Sequence, residues 1–377
     1  MVLTRRRAVI SAALTALFLS LNSVVLAIDS QAQQFELEIV ARGLDHPWGL
    51  AFLPDTRMLV SERSGNLRVV TPTGEVSEPL NGLPSLREVG QGGLMDVVLH
   101  PQFEHNQWIY LTYAGSGSGG HGTELMRAHF GTDGLTDVET IFRALPKFGG
   151  GRHFGSRLLF LPDGTLLLTL GDRGHRPNGQ NLGTHPGSIL RLNDDGSVPI
   201  DNPFVAFDGV RPEIYSFGHR NVQGIAIAAA TGKVWSHEHG PQGGGEVNQL
   251  KPGLNYGWAD ITYGRNYVTG TRIGRGETSE QVAPPAYQWT PSIAPSGLAV
   301  YDGDKFPHWR GNLFAGSLKF RMLSRLVVDG DQIVHEERLL GDVLGRIRDV
   351  RQGPDGYLYL MTDSRDGVIA RLRPPDD

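Results

Sequence analysis

The sequence has no cysteine. That excludes thiol catalysis, cysteine-ligated zinc and attached c-type haem, and it removes disulfide bracing from the stability account. A chain without such bracing needs a large core, and 377 residues are enough for one large domain or two ordinary ones. Excess positive charge is also lacking. The formal net charge is −5, which argues against phosphate backbones, and so nucleic acid, as partners. Beyond the N-terminus no run approaches the ~18 apolar residues of a membrane-spanning helix. Amphipathic helices are scarce too, since no long segment repeats its apolar residues every ~3.6 positions between caps.

Glycine, at 50 residues, and proline, at 23, are plentiful, with no collagen-like period. This describes a chain of many turns and short strands. The N-terminus is different. Arg5, Arg6 and Arg7 precede AVISAALTALFLSLNSVVLA, an apolar run ending in small residues. This is the plan of a secretory signal over residues 1–32, with cleavage after Ala27 or Ala32. Thr4-Arg5-Arg6 hints at twin-arginine export, and a single membrane anchor is the alternative. Ser20, Asn22 and Ser23 interrupt the run and favour cleavage. The mature protein, residues 33–377, is expected as one periplasmic or secreted domain with no stable membrane insertion, monomeric or homodimeric.

One pattern recurs six times: a small or polar entry, an apolar strand, a turn, a second apolar strand, then a polar cluster. The copies begin at Trp48, Gly93, Gly149, Gln223, Ser296 and Ile347. Each interval has room for a four-stranded antiparallel sheet. Six such units stacked radially form an all-β, six-bladed propeller, and the strand FELEIVAR (35–42) would complete the last blade and close the ring. A pair of β-sandwiches is the alternative, but it explains the regular repetition less well.

In a propeller the inner strands converge on one axis, so the polar residues flanking each hairpin meet at one face. Those residues are Gln91; His153 and Asp172; His219, Arg220 and Asn221; His237, Glu238 and His239; Lys319 and Arg321; and Arg346 and Arg348. Any one alone is more readily an ordinary loop residue. Recurrence at one repeat position makes them a candidate site. His153 and Asp172 flank the hairpin that turns at Pro162-Asp163-Gly164, so antiparallel pairing places them near each other at its open end. An aspartate accepting from one imidazole nitrogen fixes the tautomer and leaves the other as a base; a purely structural hydrogen bond is the alternative. The cations are too many for a neutral sugar and suit a small ligand with several carboxylates. Such a ligand invites a hard cation, and EHGPQGGGEVN (238–248) offers two glutamates and freed carbonyls, which suit Ca²⁺ better than zinc. His237-Glu238-His239 is no zinc motif, because neighbours on a strand face opposite sides.

Eight segments taken together resemble the soluble quinoprotein glucose/sorbosone and aldose sugar dehydrogenases, which use pyrroloquinoline quinone (PQQ). They are HPWGLAFLPD, GQGGLMDVVLHP, RHFGSRL…LTLGDRG, IYSFGHRNVQGIA, HEHGPQGGGEVN, NYGW…YGRNY, APSGLAVY and RIRDVRQGPDGYLYLMTD. The resemblance spans nearly the whole mature chain and implies a six-bladed propeller that oxidises aldoses at C1 to lactones and passes electrons to an external acceptor. It implies His153 as general base, oriented by Asp172. Gln91, Arg220, Asn221, Tyr267, Lys319, Arg321, Arg346 and Arg348 would contact the quinone or its surroundings. The carbonyls of Gly240 and Pro241 would hold the Ca²⁺ that touches the cofactor. Glu246 and Tyr256, the latter through its carbonyl, would hold a structural Ca²⁺. The family's Gly-Gly after the base is here Gly155-Ser156, which would narrow the pocket, and 259–290 departs most, which bears on substrate choice. A Ca²⁺-dependent lactonase and a non-catalytic binding propeller are the rival functions.

Overall fold

The computed structural model describes residues 25–375; the Arg5–Arg7 cluster and most of the expected signal segment lie outside the described residues. The described chain forms six antiparallel sheets arranged as a β-propeller. Their inner strands are Pro47–Phe52, Leu94–Leu99, Gly155–Phe160, Val222–Ile227, Pro295–Val300 and Ile347–Gln352. Each packs on the inner strands of the two neighbouring blades, and the last meets the first. All six expected repeats therefore fall on inner hairpins. The first blade has three strands and blades two to five have four.

The sixth blade closes the ring. Ile347–Gln352, Leu358–Thr362 and Gly367–Arg373 are joined by Gln34–Leu44 from the other end of the chain. Arg371 and Arg373 pair with Glu38 and Glu36 across this seam at 2.8 and 2.6 Å. An outermost strand, Val25–Asp29, pairs with Gln34–Glu38; it falls inside the stretch read from sequence as signal.

Burial on both faces explains the uninterrupted apolar runs. In the strand Leu166–Leu170, Leu166, Leu168 and Leu170 pack toward the second blade with Tyr110 and Leu125, while Leu167 packs toward the fourth with Val222 and Tyr256. The other interfaces repeat this arrangement, and the one between blades five and six is filled by Phe35, Trp309 and Phe314. Among the described residues no helix is long and apolar enough to cross a membrane.

Candidate active site

The loops at one end of the inner hairpins enclose a cavity of about 470 Å³ on the propeller axis. Two recurring positions supply much of its wall: the residues entering the inner strand and those just past the second strand. Gln91, Asn221 and Arg346 come from the first position, with Arg348 one residue inside its strand. Arg63, His239, Lys319 and Asp363 come from the second.

The hairpin of the third blade sets the proton-handling pair. Leu158 faces Leu168 and Leu159 faces Leu167, but a bulge shifts the register so that Gly155 faces Leu170. Extended two residues outward, the shifted register brings His153 opposite Asp172. Their side chains meet at 2.6 Å, Nδ1 to Oδ1. Asp172 is 1% exposed and also accepts from the Gly174 amide and the Trp258 indole, each at 2.7 Å. Burial pushes the Asp172 carboxyl up, but its bond to His153, the Arg220 charge and the Gly174 amide outweigh this and hold it below the usual range. Burial lowers the His153 pKa from its ordinary value, and the nearby Arg220 adds to that, against the opposing pull of Asp172. The ring is therefore neutral at neutral pH, with Nδ1–H donated to Asp172 and Nε2 available as a base. Phe154 and Gly155, which follow it, line the cavity.

Arg220 is nearly buried beside this pair. Its guanidinium donates to the carbonyls of His239 at 2.9 Å and Gly240 at 3.2 Å and lies 5.3 Å from the Trp258 ring. Tyr267, exposed on the 259–290 segment, lies within hydrogen-bonding reach of the Arg220 guanidinium. Asn221 Oδ1 accepts from the Gly155 amide at 3.1 Å and so ties the third blade to the fourth.

The opposite wall is cationic. Arg348 is buried, bonds Gln223 Oε1 at 3.1 Å and Ser296 Oγ at 3.2 Å, and keeps a buried Nε–H with no partner. Burial lowers its pKa to about 10, so it stays charged at neutral pH. Lys319, Arg321 and Arg346 line the same cavity, with Arg321 also paired to Asp342 at 3.1 Å. Sequence reasoning missed Asp363. Its Oδ2 accepts from Arg346 at 2.9 Å and Arg348 at 3.2 Å, and its Oδ1 from His46 at 2.9 Å and Arg63 at 3.4 Å. One carboxylate thus spaces several cations and cannot neutralise them all. A ligand with several carboxylates fits this wall, and the orphan Nε–H of Arg348 is a donor ready for one. Ser156 does not narrow the cavity: its hydroxyl turns to the Phe154 carbonyl at 3.2 Å, behind the wall.

The candidate metal residues lie behind Arg220. Glu238 and Glu246 face each other across neighbouring strands, and with Tyr256, Gly244 and Thr262 they line a small pocket. Glu238 is committed to His219 at 2.9 Å and to the Arg220 amide at 2.5 Å. Burial first, and then Glu238, drive the Glu246 pKa well above the usual carboxylate range, so the pocket favours a positive charge there. The Tyr256 phenol is engaged by Gln249 O at 2.8 Å and Lys251 N at 2.9 Å, which leaves its carbonyl as the possible ligand. The Gly240 carbonyl faces Arg220, and Pro241 packs on Gly264. Carboxylates and carbonyls without clustered histidine suit a hard cation. His237 and His239 both turn to the fifth blade, to Gly297 O at 2.7 Å and Pro295 O at 2.9 Å, while Glu238 points the other way, so the three form no zinc site.

Comparison with known proteins identifies the family. The chain is 43% identical over 344 residues to aldose sugar dehydrogenase YliI of Escherichia coli K12, covering 90% of this chain and 92% of that one. It is 27% identical over 423 residues to quinoprotein glucose dehydrogenase B of Acinetobacter calcoaceticus, covering 90% and 87%. The crystal structure of the apo-form soluble aldose sugar dehydrogenase of E. coli superposes with a TM-score of 0.88 at 42% identity, covering 90% of this chain and all of that one. The PQQ-bound aldose sugar dehydrogenase of Streptomyces coelicolor superposes with a TM-score of 0.76 at 27% identity, covering 93% and 98%. The family model described as glucose/sorbosone dehydrogenase matches residues 44–371, and the chain belongs to that family.

Proposed function

We propose that this protein oxidises aldose sugars at C1 to lactones, using pyrroloquinoline quinone with Ca²⁺ and an external electron acceptor. The observation that carries the proposal is the bonded His153–Asp172 pair, joined directly to Phe154 and Gly155 in the wall of a cation-lined cavity. Bound quinone would supply the carbonyl that accepts hydride from the sugar. Lys319, Arg321, Arg346 and Arg348 would hold its carboxylates, with Gln91 and Asn221 fixing its position. Carbonyls at Gly240 and Pro241 would offer Ca²⁺ its ligands beside the cofactor, and Glu246 with the Tyr256 carbonyl would offer those of a structural Ca²⁺.

His153 Nε2 takes the proton of the C1 hydroxyl as hydride departs. Asp172 stabilises the imidazolium so formed. Arg220, beside His153, would place a fixed positive charge near the negative charge that develops as hydride is accepted. With no cysteine for a haem, electrons leave to a separate acceptor. The charged start and apolar run of residues 5–32 support export to the periplasm or beyond.

The test is reconstitution. Apoprotein is given PQQ and Ca²⁺, and dye reduction is followed over a panel of aldoses. Activity that needs both additions is expected, and His153→Ala should abolish most of kcat while largely retaining quinone binding. Near-normal kcat in that variant refutes the assignment of the base. Lactone hydrolysis without quinone would move the lactonase reading to the front.

A further inference from the structure

We propose that Arg173 is a positioning residue that clamps the loop carrying His153; its relevance to turnover rests on the reading of His153 as the base. Arg173 is 5% exposed and adopts a left-handed φ of 56°. Among the described residues no carboxylate forms an ion pair with its guanidinium. Its charge is met by carbonyls: it donates to Arg152 O, to Gly150 O at 2.8 Å and to His121 O at 3.4 Å. The guanidinium lies 3.5 Å from the centre of the Phe154 ring. Burial lowers its pKa to about 10, which still leaves it charged at neutral pH.

These contacts surround one short stretch. Gly149, Gly150 and Gly151 give the chain before His153 high conformational freedom. His153 itself sits at φ 56°, a conformation its side chain disfavours. The stretch is ordered by bonds on all sides. Gln91 Oε1 accepts from the His153 amide at 2.8 Å, and the Gln91 amide donates to Gly151 O at 2.7 Å. Thr123 Oγ1 donates to Phe154 O at 2.6 Å. Arg173 takes two further carbonyls, Gly150 and Arg152, with one planar fork. Asp172, the adjacent residue, holds the imidazole. Two consecutive side chains thus fix the base at its backbone and at its ring, which accounts for an arginine directly after the aspartate.

Lysine would keep the charge and the stem but has no planar fork to span two carbonyls. Arg173→Lys and Arg173→Met therefore separate charge from clamping. In the apoprotein, the amides of Gln91 and His153 are expected to exchange about tenfold faster in both variants, with the blade strands unchanged. In the reconstituted enzyme kcat should fall about 10²-fold, as for a misplaced catalytic group. Quinone affinity, read by absorbance titration, should stay within about threefold, because the cations of the cavity wall are untouched. Unchanged exchange at both amides, or full kcat in Arg173→Lys, overturns the proposal. If Arg173→Met does not fold, Arg173→Lys decides alone. If the parent protein oxidises no sugar, the dehydrogenase reading fails and amide exchange alone decides the clamp.

Discussion

Replacing Asp172 by asparagine separates the charge of this carboxylate from its hydrogen bonds. Every group that reaches Asp172 is a donor: His153 Nδ1 at 2.6 Å and the Gly174 amide at 2.7 Å on one oxygen, and the Trp258 indole at 2.7 Å on the other. An amide has one oxygen to give. The orientation that keeps His153 and Gly174 bonded turns its NH₂ toward Trp258, leaving two buried donors facing each other at a cost of about 1–3 kcal/mol of stability. The chemistry suffers separately. With about 4 Å between the imidazolium charge centre and the carboxylate, and an effective dielectric of about 20, the pair is worth about 4 kcal/mol. That corresponds to about 3 pKa units of basicity at His153. With about half of this felt in the transition state, kcat falls about 30-fold. The assay is kcat against pH at saturating sugar, PQQ and Ca²⁺. His153 must be neutral to accept a proton, so activity is lost as pH falls through its pKa, which in the parent lies below 6.5. Asp172→Asn should lower the plateau and move this acid limb to still lower pH. A plateau within about threefold of the parent's, or a limb displaced to higher pH, would refute the reasoning.

Three further perturbations probe the rest of the site. Arg348→Met removes a buried cation and the orphan donor Nε–H, and quinone affinity should fall about 10–100-fold by absorbance titration. Asp363→Asn bears on acid stability. Although burial opposes it, the arginines and His46 hold the Asp363 carboxyl far below its ordinary 3.8. The resulting stability is present above that value and lost as pH falls below it, so thermal melting of the variant should drop less steeply between about pH 4 and 2 than that of the parent. Ca²⁺ should raise the melting temperature of the apoprotein, and chelation should reverse this. Glu246→Gln should abolish the Ca²⁺ response while leaving the same fold by circular dichroism; an undiminished response would place the cation elsewhere.

The fold was legible because both faces of each inner hairpin are buried. LLFLP and TLLLTL needed no helical period to be read as strands, and their recurrence counted the blades. His153 and Asp172 were legible because a hairpin turning at Pro162-Asp163-Gly164 fixes its own register, and the bulge before Leu158 completes their alignment. Trp258 was not, because it reaches Asp172 from 86 residues away on a segment with no apolar period. Asp363 and Arg63 were missed for a different reason. The flanking residues were gathered hairpin by hairpin, but the first hairpin was given none, and after the last only the entering arginines were taken, which passed over Arg63 and the acid that spaces the cations. Position in the repeat finds both. The residue or two past the second strand gives Arg63, His239, Lys319 and Asp363 on the cavity wall, and Asp172 behind His153. The same place in five blades thus carries three cationic or imidazole side chains and two carboxylates. What the propeller repeats is access to the axis, and the chemistry of the site lies in which side chain each blade sends there.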